Sequence, residues 1–132
     1  MMNILLIGLG GACGAITRYL LTMALSPLGQ SFPKGTLIWG TLLVNALGCF
    51  LAGIAMSLKM KHPEMNPLWL NGIMFGFLGA LTTFSTFTSD NFKLFAENQN
   101  GLLFTNIAMN LVTCFSLLAV GYYFTNYLIQ KS

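Results

Sequence analysis

Apolar residues fill long stretches of this chain, and polar ones collect at the joints between them. Residues 35–58, 65–89 and 98–130 contain no charged side chain, and the first apolar run carries only Arg18. A helix needs about 20 apolar residues to cross a bilayer. The pattern predicts four helices, at about 3–25, 36–58, 69–95 and 103–129. The prolines Pro27, Pro33, Pro63 and Pro67 fall in the first two predicted connections, where they would remove no helical hydrogen bond. The third connection, Glu97-Asn98-Gln99-Asn100-Gly101, is short and polar, and Trp39 and Trp69 sit near helix starts, as interface anchors do. A barrel would show alternating segments of about ten residues, which are absent here.

Composition sharpens this picture. The chain has 132 residues, 55% apolar and 7% charged, whereas a soluble domain carries about 25% charged residues. Nine charged side chains cannot dress a soluble surface, so the pattern reads as one all-α integral membrane domain spanning 1–132. The net charge of +3 is scattered, and no basic patch for nucleic acid is present. Cys13, Cys49 and Cys114 are dispersed and suggest neither a disulfide framework nor metal-ligand spacing. His62 beside Pro63 reads as a solvated loop residue. The N-terminus does not read as a cleavable leader, because no basic stretch precedes its apolar run.

Charge also bears on topology. Lys34, Lys93 and Arg18 fall toward one side, and Lys59, Lys61 and Lys131 toward the other. With the basic residues balanced, the positive-inside rule gets little grip, and insertion in both orientations is expected. Chains inserted both ways can pair as an antiparallel dimer and so build an inverted repeat from one sequence. Gly10 and Gly14, and Gly72, Gly76 and Ala80, carry small residues at four-residue spacing. Such stripes let helices approach closely, within one chain or between two.

Polar side chains inside the membrane need a partner or a role. Arg18 could draw anions toward a vestibule, snorkel to the headgroups, or cap a neighbouring helix. Thr41, Asn45 and Gly48 share one face of helix 2, as pore lining or as helix–helix glue. The same two readings apply to Asn106, Asn110 and Thr113 on helix 4. The segment Thr82-Thr83-Phe84-Ser85-Thr86-Phe87-Thr88-Ser89 places six hydroxyls in eight residues. Clustered Ser and Thr compete for backbone hydrogen bonds, so helix 3 is expected to break there. Freed carbonyls would suit a hard cation such as Na⁺. Phe84 and Phe87 share a face. Their rings are either core or present electropositive edges to an anion. No catalytic constellation is present. Asp90 is the only acid inside a predicted helix, and a proton-coupled antiporter would want a carboxylate deep in helix 1.

Three motifs resemble the Fluc/CrcB family of small fluoride channels, over essentially the whole chain. They are Gly10-Gly11-x-x-Gly14-Ala15-x-x-Arg18-Tyr19, Gly40-Thr41-Leu42-x-Val44-Asn45-x-x-Gly48, and Gly79-x-x-Thr82-Thr83-Phe84-Ser85-Thr86-Phe87. The resemblance implies an antiparallel dual-topology dimer, helix 3 broken near its middle, two pores, and passive fluoride export across a bacterial-type inner membrane. It implies that Asn45, Phe84, Phe87, Ser85 and Thr86 line the fluoride path. Arg18, Thr41, Asn110, Thr113 and Cys114 become pore or vestibule candidates. It also implies a structural Na⁺ at the dimer centre, held by the backbone carbonyls of Gly79 and Thr82. The expected partners are thus fluoride, sodium, membrane lipid and a second copy, or a paralogous subunit in a heterodimer. One departure stands out. Cys114 and Leu118 occupy helix 4 positions where the family often has Ser and Thr. A small multidrug-type antiporter is the rival from another class.

Overall fold

Helices in lipid gain little from hiding apolar surface from one another, so close backbone packing must hold them. The computed structural model, which describes residues 1–30 and 36–131, shows how this chain achieves it. The order is α1 (Met2–Gln30), α2 (Thr36–Lys61), α3 (Pro67–Asn71), a π-helical segment (Gly72–Leu78), α4 (Gly79–Leu81), α5 (Phe84–Ala96) and α6 (Asn100–Lys131). No strand occurs among the described residues. Four stretches are long and apolar enough to cross a membrane: Met2–Leu25, Trp39–Lys61, Pro67–Ala96 and Asn100–Lys131.

The helices extend beyond the predicted ends. Most notably, α1 runs through Pro27 to Gln30, so that proline sits in the last helical turns and not in a connection. A proline near a helix end forfeits a single backbone hydrogen bond, and an otherwise apolar run can absorb that. Pro67 occupies the first turn of α3, where its missing N–H costs nothing, and Asn66 caps that turn by accepting from Leu68 N. Pro33 and Lys34, the latter part of the charge balance above, lie outside the described residues.

Glycine decides where the helices meet. A Cβ built on Gly10 would fall on the Gly72 carbonyl oxygen, and one on Gly14 on the Phe77 carbonyl oxygen. Gly76 meets the Ile7 carbonyl in the same way. The small-residue stripes of helices 1 and 3 therefore pack against each other within one chain. The π-helical turns of Gly72–Leu78 lie along this contact. On the other side, Gly53 sits on the Leu118 carbonyl and Gly121 on the Phe50 carbonyl. Ser57, fully buried, donates to Asn126 Oδ1 at 3.0 Å. These contacts advance together along both helices of each pair, so α2 and α6 run parallel, as do α1 and the first half of helix 3. Val44, Leu78 and Leu81 form the buried core between the two pairs.

Helix 3 is interrupted at Thr82–Thr83. Both residues are extended, with φ/ψ of −77°/152° and −146°/115°. Two adjacent β-branched residues accept this backbone readily. Thr83 then starts α5 as an N-cap, its Oγ1 accepting from Thr86 N at 3.2 Å.

Candidate functional site

The break frees backbone groups inside the membrane, where each needs a partner. Asn45 on α2 supplies two of them. Its Oδ1 accepts from Thr83 N at 2.8 Å, and its Nδ2 donates to Thr83 O at 3.3 Å. Only an oxygen can accept from that N–H, so the amide has one orientation and its NH₂ keeps a second hydrogen. Thr83 Oγ1 also donates to Thr86 Oγ1 at 3.0 Å and lies 3.2 Å from Ser85 Oγ. Thr83 is thus the hub of the break. It lies inside the hydroxyl-rich motif, but nothing in the one-dimensional pattern ranks it above its five hydroxyl neighbours.

A groove of about 410 Å³ opens beside this hub, between α2, the helix break and α6. It is lined by Asn45, Thr83, Phe84, Phe87, Asn110 and Cys114, among others. The Phe84 and Phe87 rings are 5.8 Å apart and tilted by 43°. Phe84 is 79% exposed in the single chain, so it is no core residue. Leu118 also lines the groove. This wall therefore carries a thiol and an isobutyl group at the two positions singled out on helix 4.

Asn110 belongs to a buried amide chain. Its Nδ2 donates to Asn106 Oδ1 at 2.9 Å, and Asn106 Nδ2 donates to Asn91 Oδ1 at 2.9 Å. Asn110 Oδ1 is left buried without a partner among the described residues. A groove-lining residue with a spare acceptor is suited to ordering a water there.

A second cavity of about 260 Å³ also borders Thr83, between α1, α2 and α5. Arg18, Tyr19, Thr41, Thr83 and Thr86 line it. Thr83 therefore borders both spaces. Thr41 Oγ1 donates to Asp90 Oδ2 at 2.8 Å, and both residues are buried. The motif residues thus divide between two sites. Asn45, Phe84, Phe87, Asn110 and Cys114 share the groove, whereas Arg18, Thr41 and Thr86 share the second cavity. Ser85 reaches Thr83, and neither Ser85 nor Thr113 lines the groove or the Arg18 cavity.

Gly79 and Thr82 face a different task. In an unbroken helix, Thr83 N–H would bond the Gly79 carbonyl and Thr86 N–H the Thr82 carbonyl. Here those donors go to Asn45 Oδ1 and Thr83 Oγ1. Both carbonyls thereby lose their helical donors, and Gly79 is exposed. Carbonyl oxygens freed in this way are the ligand type a hard cation takes.

The chain matches the family model described as CrcB-like protein, Camphor Resistance (CrcB), over residues 5–122. It belongs to the CrcB-like family. Relatives from Shewanella baltica (strain OS185) and Shewanella sp. (strain ANA-3), each named fluoride-specific ion channel FluC, are 42% identical over 92% of this chain and 94% of their own. A relative of the same name from Shewanella loihica is 38% identical over the same shares. These CrcB-like relatives are named as channels and not as enzymes. With four apolar spans, this CrcB-like chain is a multi-pass membrane protein, of the inner membrane in bacteria.

Proposed function

We propose that this chain is a passive fluoride channel that works as an antiparallel dimer with two pores. The observation that carries this reading is the groove at the helix break, where Asn45, Phe84 and Phe87 converge beside a cavity holding Arg18. Fluoride is small and strongly hydrated, so a path must replace its water with donors. Asn45 has one uncommitted N–H, and the Phe84 and Phe87 ring edges are electropositive. Arg18 and Thr86 offer a cation and a hydroxyl at the approach, which Thr41 also lines with its own O–H committed to Asp90, and Thr83 borders both spaces. Ser85 and Thr86 contribute by holding Thr83 in place, Thr86 facing the approach as well. Asn110 extends the path along α6, with Cys114 beyond it and Thr113 one residue away.

Antiparallel pairing is supported by the even distribution of basic residues, which leaves neither orientation favoured. Na⁺ would be held by the Gly79 and Thr82 carbonyls, with a second copy completing its shell. The bound cation would brace the break and bias the neighbouring groove toward anions.

Fluoride efflux from liposomes containing this chain alone, read with a fluoride electrode, tests the reading. Rapid fluoride loss with chloride retained is the expected result. No efflux from a folded dimer would overturn the homodimeric form. One observation favours that second reading, in which a paralogous subunit is required: Cys114 and Leu118 offer weak or no donors in the groove wall. Co-expression with such a subunit would then restore flux.

A further inference from the structure

Cys49 and Cys114 stand far apart in sequence but together in the groove wall. The parallel register of α2 and α6 brings them there. Gly53 rests against the Leu118 carbonyl, and one turn earlier on each helix Cys49 comes opposite Cys114. The glycine contact one turn away brings the two helix backbones close together at this level. Neither cysteine is in a disulfide, and both are half-buried. No third His, Cys, Asp or Glu gathers with them among the described residues.

Two sulfurs without a carboxylate or imidazole are a poor site for zinc, which takes four ligands, and for hard cations, which take oxygen. They suit a soft ion. We propose that Cys49 and Cys114 form a two-thiolate site for a soft monovalent metal ion, Cu(I) or Ag(I), in the wall of the groove. Binding exchanges two S–H bonds for two S–metal bonds. Two protons leave to solvent, the metal keeps its oxidation state, and the bridge carries one net negative charge. That charge lies among the groove residues Asn45, Phe87 and Asn110, where it repels a passing anion and fills space. Loss of anion flux rests on the channel reading above. The metal site itself does not.

The alternative is that two cysteines simply fill space as small apolar residues. Silver titration of the full chain in chloride-free detergent distinguishes these. The chain has three cysteines, and Cys13 is exposed on α1. With Cys13→Ser, one silver per chain should bind and should protect both remaining thiols from alkylation. Cys49→Ser and Cys114→Ser should each weaken binding on the order of 100-fold, the scale of a lost intramolecular second ligand. Two silvers per chain, or single variants that bind as tightly as the pair, would overturn the site. The unaltered chain supplies the same test without a folding risk, because one silver should shield two of its three thiols. In liposomes, the silver-loaded chain should lose most of its fluoride efflux. Unchanged efflux with one silver bound would overturn the blocking role, whereas absent efflux before silver would count against the channel reading alone.

Discussion

Replacing Asn45 with leucine keeps the branched outline of the side chain, with somewhat more bulk, but removes both bonds to Thr83. The 2.8 Å bond from Thr83 N matters more than the 3.3 Å bond to Thr83 O. Thr83 is buried, and its N–H would be left without an acceptor at membrane depth. Orphaning a buried donor costs about 1–3 kcal/mol. The Thr83 carbonyl loses only a long bond, and groove water can replace it. The break should therefore open about five- to 150-fold more often. Hydrogen exchange read by mass spectrometry over residues 82–87 measures that opening directly. Asn45→Asp is the informative partner variant. It preserves an oxygen for Thr83 N–H, so exchange should stay near wild type. It loses the amide donors and brings a negative charge when ionised, so fluoride flux should fall steeply. Wild-type exchange in Asn45→Leu would refute the clamp. Equal exchange defects in both variants would show that the acceptor is not what holds Thr83.

Phe84→Ile and Phe87→Ile should each slow fluoride efflux while the protein elutes as the folded wild type does in size-exclusion chromatography. Taking each ring edge at about 1 kcal/mol, the scale of other aromatic contacts, gives about a fivefold loss, and wild-type flux in both would sink the path assignment. Gly14→Ala should destabilise the detergent-solubilised protein by about 1–3 kcal/mol through overpacking against the Phe77 carbonyl. Gly8→Ala, which meets nothing within 4 Å, should not lower the melting temperature in the same assay, and an equal loss for the two would contradict the packing account. Cysteine labelling of a C-terminal tag, in cells expressing this chain alone, should reach the tag from both sides of the membrane. Labelling from one side only would exclude dual insertion.

Much of this protein was legible without coordinates, because a bilayer allows few solutions. Apolar runs of helical length, with few charges inside them, leave helices as the way to satisfy the backbone once alternating barrel segments are absent. The hydroxyl cluster from Thr82 to Ser89 marked the place where helix 3 gives way, since Ser and Thr offer the backbone local alternatives. What one dimension could not decide is which of these groups face one another. Asn45 and Thr83 lie on different helices, and their pairing follows from the fit of α2 against the break. The same holds for Thr41 with Asp90, and for the division of the motif between the groove and the Arg18 cavity. The glycine stripes of helices 1 and 3 announced close approach, but only the packed chain set them against each other within one chain, and the Gly53 and Gly121 contacts between α2 and α6 had no place in the sequence reading. The π-helical turns themselves had no signature, because widening a helix by one residue depends on what presses against it. Cys49 and Cys114 make the point most sharply. Their sequence spacing suggested no common site, and the parallel register of α2 and α6 brings both into the wall of one groove.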